Sequence, residues 1–571
     1  MNKSINDRLE ILYNKEDAKK AKVAIDDLVK LYKKRYSSTS YNMTQKDLIL
    51  ITYADQFYDE YSTPSILVLE KFLDSYLHNI INCVHLLPFY PYSSDDGFSV
   101  IDYKAVAKNV GEWRDIERLS TKFRLMFDGV INHISKHSNW FKEFLAQNDE
   151  YEDFFVEVDK NQDLSKVVRP RTLPLLHPFK FADNHEGYIW TTFSQDQVDL
   201  NYKNYRVLID VLDVLLFYIQ KGAKLLRLDA IAFLWKEIGT NSIHLPQTHE
   251  VIQLMRDVLH QVAPEVIIIT ETNVPHDENI SYFGNGNDEA QMVYNFALPP
   301  LIAHSILVGD ATVMQKWAKE LTLPSDKVCF FNFTASHDGC GMRPVSELLS
   351  NKEIDNLVKS VEKRGGYVSY RSLENGEKSP YELNASYIDI VSDPNEDLEI
   401  RVKKMILSQA VVLAMPGVAG IYIHSIIGSS SDRDSVKKSG VYRSINREKL
   451  NIETLSKELN TPNSLRGMIF DKYRVLLNLR RKYQAFNPYS SFEILDIHPS
   501  LFVIKRNSHG DDNNILAIHN FSNMPIVFKL PSFIRDNSFD LINNQIIDSR
   551  EFKIGAYGII WIKQNKTKDD L

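Results

Sequence analysis

Eight short apolar runs recur along most of the chain: Leu48–Tyr53, Cys83–Phe89, Arg124–Val130, Lys224–Ala230, Val266–Glu271, Met292–Phe296, Lys327–Thr334 and Val418–Ile423. Segments with helical spacing of apolar residues, such as Val207–Lys221 and His249–Val262, lie between most of them. Runs this continuous read as strands buried on both faces, and their alternation with helices predicts an α/β fold with a parallel (β/α)8 TIM barrel. Two intervals, 132–201 and 338–400, are too long for plain loops. They follow the third and seventh strands, so an inserted domain B and an inserted loop domain are expected to roof the C-terminal end of the barrel. The barrel itself then occupies 46–131, 202–337 and 401–489. Beyond residue 490 the pattern changes to short alternating runs, Phe502–Lys505, Asn514–His519, Ile526–Leu530 and Gly558–Lys563, separated by Gly, Asn, Asp and Pro. This predicts a C-terminal all-β domain over 490–571 with a solvated tail, NKTKDDL. Residues 1–45 carry Ile5, Leu9, Leu12, Ala24, Ile25, Leu28, Val29 and Leu31 at helical spacing, which predicts an N-terminal helical extension packed on the main domain.

Composition narrows the function. The formal charge of −8 over 571 residues is spread along the chain and leaves no basic footprint for nucleic acid. The N-terminus is charged from the start, and no apolar run is long enough to span a bilayer, so a cytoplasmic protein without a membrane partner is expected. Of the three cysteines, Cys83 and Cys329 lie in strand-like runs and read as buried thiols rather than a disulfide framework.

The chemistry is concentrated where the strands end. The third ends Asp128-Gly-Val-Ile-Asn132-His133, the fourth carries Arg227 and Asp229, the fifth ends at Glu271, and the seventh is followed by His337-Asp338. Asp95-Asp-Gly97-Phe98 follows the second. One Asp at a strand end is ordinarily a cap or turn residue. Several carboxylates meeting at one rim are costly to bury and do not serve stability, so they point to a shared active site. Carboxylates flanking an acetal are the pattern of glycosyl transfer, with one attacking the anomeric carbon and one protonating the leaving oxygen.

These segments resemble, in order and spacing, the four signature regions of the α-amylase superfamily, glycoside hydrolase family thirteen. The resemblance implies that Asp229 is the nucleophile, Glu271 the general acid/base and Asp338 the transition-state stabiliser. It implies that His133, Arg227 and His337 bind the glucosyl unit. The sucrose phosphorylase branch is more similar than the amylases. It shares Asp95–Phe98, Arg169-Pro170-Arg171, Phe193 before Gln-x-Val-Asp, and Arg443–Arg447. By that likeness Asp95 and Arg443 hold the far hydroxyls of glucose, Phe193 is an apolar wall, and Arg171, with Arg169, meets phosphate. Relatives in this branch lack the calcium that amylases often place near the residue corresponding to Asn132, so neither metal nor cofactor is expected.

The acceptor loops depart from sucrose phosphorylases. Tyr381-Glu382 stands where those enzymes carry Tyr-Gln, and the runs after Asp229 and Glu271 differ. These features, with the N-terminal extension, look like the glucosylglycerate phosphorylase branch, which implies a sugar substrate, inorganic phosphate and a small hydroxy acid acceptor. Arg169, Arg171, His177, His276 and Lys378 are candidates for the cationic acceptor pocket, while His244, His249 and His276 also read as structural hydrogen-bonding residues. Tyr381 and Glu382 are placed at the phosphate or acceptor side. A retaining mechanism requires the Asp229 and Glu271 carboxyls to be about 5–5.5 Å apart. Sucrose, sucrose 6-phosphate or glucosylglycerol phosphorylase is the nearest alternative, followed by an α-glucosidase or transglucosidase, and last a silent binding module. The sequence is compatible with a monomer or a homodimer.

Overall fold

The computed structural model describes residues 3–36, 41–372, 377–508, 514–534, 538–547 and 549–563, so the NKTKDDL tail lies outside the described residues. Helices α1 (Ile5–Leu12) and α2 (Lys15–Lys33) come first. The eight barrel strands follow: β1 (Leu48–Tyr53), β2 (Cys83–Leu87), β3 (Arg124–Gly129), β4 (Ala223–Leu228), β5 (Ile267–Thr270), β6 (Met292–Tyr294), β7 (Cys329–Asn332) and β8 (Val418–Tyr422). They pair in parallel, each with the next, and β8 closes on β1. Every sequence-predicted strand is present, most of them a residue or more shorter, and Asp229 and Glu271 stand just outside the ladder at the C-terminal ends of β4 and β5. Helices α3 (Tyr205–Gln220) and α4 (Pro246–Val262) match the predicted helical patterns and flank β4.

The interval after β3 contains the strand pairs His133–Ser135 with Gln197–Asp199 and Leu176–Lys180 with Glu186–Trp190. It has its own apolar cluster of Val158, Val167, Leu175 and Trp190. The interval after β7 contains a three-stranded sheet in which Lys378–Asn384 lies between Cys340–Gly341 and Tyr367–Ser372. Beyond the barrel, a six-stranded antiparallel sheet encloses a second core that includes Leu501, Val503, Leu516 and Ile518. A buried arginine joins this region to the barrel through a backbone carbonyl: Arg506 donates to Ala414 O at 2.9 Å. Arg480, on the helix Leu465–Lys482, donates to Gly417 O at 2.7 Å.

The two N-terminal helices pack on the outer helices, α1 against α4 and α2 against α3. Their apolar stripe includes Leu9, Ala21 and Ile25, all buried. Arg8 is buried with them and is bonded to Glu250 and Asp257 of α4, each at 2.9 Å. Among the described residues, no helix is long and apolar enough to cross a membrane. Removing one member of a buried ion pair strands its partner, at a cost of about 3–5 kcal/mol. Arg8→Met is therefore expected to release the N-terminal helices at lower urea than wild type, read as earlier proteolytic cleavage within residues 1–45.

Candidate active site

Asp128 and Arg227 are directly opposite each other in the β3–β4 register. This places a buried guanidinium beside a buried carboxylate at the C-terminal end of the barrel. The Arg227 Nη1 atom donates to both Asp128 and Asp229, the latter at 2.8 Å. His85 on β2 holds the other Asp128 oxygen at 2.7 Å. Burial opposes ionisation of Asp128, but His85 and Arg227 outweigh it and hold the carboxyl below its ordinary range.

Asp229 and Glu271 stand just beyond the ends of β4 and β5. Their backbone N–H groups still donate to Gly129 O at 3.1 Å and Leu228 O at 3.2 Å, so the ladder aims both side chains. Arg227 lies between the two carboxylates but treats them unequally, with contacts of 2.8 Å to Asp229 and 3.9 Å to Glu271. Ala230, left-handed at φ 50°, donates its N–H to Glu271 Oε2 at 3.2 Å. Burial pushes the Glu271 carboxyl up to about 7, against the pull of Arg227 and with help from the nearby Asp229 and Asp338 charges. Burial raises Asp229 too, again opposed by Arg227. Of two neighbouring carboxyls, the one bonded directly to the guanidinium keeps the charge and the other keeps the proton.

Asp338 faces them from the loop after β7. Burial opposes its ionisation, but Arg443 at 2.6 Å, together with His337 and Arg447, holds it well below the usual carboxylate range. His337 stacks on Phe98 with a centroid separation of 4.5 Å, and burial lowers its imidazole to about 3, so it is neutral. Asp95 is left-handed at φ 52° and is held by Arg447 at 3.3 Å. The turn that presents it needs Gly97, because a Cβ there would stand 2.7 Å from Pro88 O. These groups line a cleft of about 760 Å³, mouth included. Such a constellation can ionise one carboxylate against a sugar carbon while a protonated neighbour donates to the leaving oxygen.

The α-amylase catalytic-domain family model matches residues 69–339. The glucosylglycerate phosphorylase of Spirochaeta thermophila is 44% identical over 546 residues, covering 93% of this chain and 92% of the relative. The glucosylglycerate phosphorylase of Escherichia coli is 45% identical over 519 residues, covering 91% and 92%. The chain belongs to the α-amylase family, in its glucosylglycerate phosphorylase branch. The crystal structure of sucrose 6F-phosphate phosphorylase from Thermoanaerobacter thermosaccharolyticum superposes with a TM-score of 0.74 at 21% identity, covering 91% of this chain and 100% of that one, a likeness of fold.

In this α-amylase family member, the cleft brings together Asp95, His133, Arg171, Phe193, Asp229, Glu271, His337, Asp338, Tyr381, Glu382 and Arg443, all singled out from sequence. Arg227 supports them from beneath. Arg169 is not brought to the cleft: its guanidinium turns back onto Leu173 O within the same loop. Of the other cations considered for the acceptor pocket, His177 is bonded to Thr191 at 2.7 Å, His276 packs near the Trp317 and Phe330 rings, and Lys378 is exposed, so only Arg171 reaches the site. Arg171 lies over the Tyr381 ring, 5.3 Å from its centroid. Glu382 is 2% exposed and grips Arg443 through two bonds of 2.6 and 3.1 Å. His244 and His249 are bonded to Glu278 and Glu289, each at 3.0 Å. Arg343 and Asn273 line the cleft as well. Sequence offered no charge pattern for either, only their closeness in the chain to Asp338 and Glu271.

Lys236 was likewise not anticipated. Its ammonium lies 2.8 Å from both Asn132 and the fully buried Asp199. The lysine thereby supplies, from within the chain, the positive charge that these two side chains solicit. Lys236→Met leaves the buried Asp199 hydrogen-bonded to Asn132 and Thr192 but without a counter-charge, and a loss of up to about 3–5 kcal/mol follows. A lowered midpoint of thermal unfolding, with Lys236→Arg intermediate, is the expected outcome.

Proposed function

We propose that this chain is a retaining α-glucoside phosphorylase. It converts 2-O-α-D-glucosylglycerate and phosphate reversibly into α-D-glucose 1-phosphate and D-glycerate. Identity of 44% across nearly the whole of a named glucosylglycerate phosphorylase is the observation that carries the substrate assignment. The geometry around Arg227 supports the mechanism. Asp229, its charge held by Arg227, attacks the anomeric carbon and forms a glucosyl ester. Glu271, protonated near neutrality, gives its proton to the departing glycerate oxygen. Phosphate then attacks the ester from the vacated side, Glu271 takes back a proton, and the second inversion restores the α configuration. Asp338, kept ionised by Arg443, stabilises the positive charge that develops on the sugar. His133, His337 and Asp95 bind glucose hydroxyls, Phe193 covers the ring, and Arg443 joins them under the restraint of Glu382. Arg171, lying against Tyr381, meets the incoming phosphate. A cytoplasmic location belongs to this reading, supported by three buried free thiols, Cys83, Cys329 and Cys340, and with it a monomer or homodimer.

Three outcomes test it. With α-D-glucose 1-phosphate as donor, phosphate release should be far faster with D-glycerate than with fructose, fructose 6-phosphate, glycerol or water; equal release in water alone would mean a hydrolase. Asp229→Asn should lower kcat by about 10⁴-fold or more. The acid form of Glu271 is the active one in glucosyl transfer from glucosylglycerate, so kcat/KM for that substrate should fall about tenfold per pH unit above about 7. Glucosyl fluoride, whose leaving group needs no proton, should show no such basic limb.

A further inference from the structure

Besides its carboxylates, the cleft wall carries cations. Arg343 lines the cleft there with a side chain only 12% exposed, and donates to Glu278 at 3.1 Å. Glu278 is already shared with His244 at 3.0 Å. Arg371 stands behind on the strand Tyr367–Ser372. It pairs in register with Ser379, beside the bulge at which Tyr381 has no partner, and Tyr381 is among the groups that act on its charge. The buried Nε of Arg371 has no hydrogen-bond partner among the described residues. Burial, and then the neighbouring Arg343 charge, lower the pKa of Arg371. Arg171, over the Tyr381 ring, adds a third guanidinium. Glu278 is the carboxylate set against Arg343 and Arg371, so a half-buried excess of positive charge faces the cleft. Asn273 completes the wall: it lines the cleft, and its buried amide oxygen also lacks a partner.

We propose that Arg343, backed by Arg371, receives the carboxylate of the acceptor, and that Asn273 accepts a hydrogen bond from one of its hydroxyls. This rests on the phosphorylase reading above and names the residues that select a hydroxy acid. An anion and a hydroxyl recognised side by side describe a small hydroxy acid rather than a neutral polyol. A guanidinium satisfies a carboxylate with two parallel bonds, and Glu278 keeps it oriented while the cleft is empty. Arg371 acts as a positioning residue, since it raises the local potential without lining the cleft.

The test compares D-glycerate with glycerol, the same carbon chain without the carboxylate, as acceptors for α-D-glucose 1-phosphate. The ratio of their kcat/KM values cancels any change in glucosyl-enzyme formation common to both. Arg343→Gln should collapse the wild-type preference for glycerate by roughly 30-fold or more, Arg343→Lys should restore part of it, and Arg371→Gln should lower it less. A preference unchanged in Arg343→Gln overturns the proposal. So does a rise in KM for inorganic phosphate with the acceptor ratio intact, which would assign the arginine to phosphate. A wild-type enzyme with no preference for glycerate would instead defeat the phosphorylase reading itself, so the two failures are distinct.

Discussion

A buried guanidinium in a barrel strand is the constraint on which the site depends. Arg227 is 1% exposed, and its charge is tolerable there only because carboxylates surround it. The strand register supplies Asp128, and the chain turning out of β4 supplies Asp229. Glu271 remains just outside bonding distance at 3.9 Å. That difference between near and far contact separates the two carboxyls chemically. Both are lifted by burial, but the one that touches the guanidinium carries the charge and the other the proton. The proposed assignment of nucleophile and acid rests on that one hydrogen-bond geometry.

The opposite wall repeats the principle with different residues. Arg443 and Arg447 are set against Asp338, Glu382, Asp95 and Asp96. The glucose side of the cleft is thus a lattice of paired charges, and its left-handed turn at Asp95 and Asp96 is held by Arg447. The far side is not balanced in this way. Arg171 lies over Tyr381, and Arg343 and Arg371 are neighbours that share Glu278 as a nearby carboxylate. A site that must bind a sugar at one end and exchange two anions at the other needs this polarity. Lys236 shows the same economy elsewhere in the rim, filling with an ammonium the position between Asn132 and Asp199.

Much of this was legible in the chain. The barrel strands are apolar on both faces, so their positions could be read with little regard to context, and the charged residues that end them stood out for the same reason. Boundaries were less legible: Lys327–Thr334 was too long, because only Cys329–Asn332 remains in the ladder. The loop residues were the least legible. Arg169 and Arg171 are two residues apart and alike in type, yet one folds back onto Leu173 and the other reaches the cleft. Glu382 reads as a binding residue from its place in a motif, and the structure adds that it lines the cleft with two bonds to Arg443, a partner far away in the chain.

The sequence by itself determined the barrel, the all-β region that follows it and the carboxylates at the rim, because these depend on local periodicity and on residue types that have few alternative uses. Only the tertiary structure decided which carboxyl sits against Arg227, which loop arginines face the cleft, and that Arg343 and Asn273 line it together with Arg371 near Arg343. The physical reason is that a charge acquires its role from the partners within a few ångströms of it. In a barrel those partners come from strands and loops far apart in the chain.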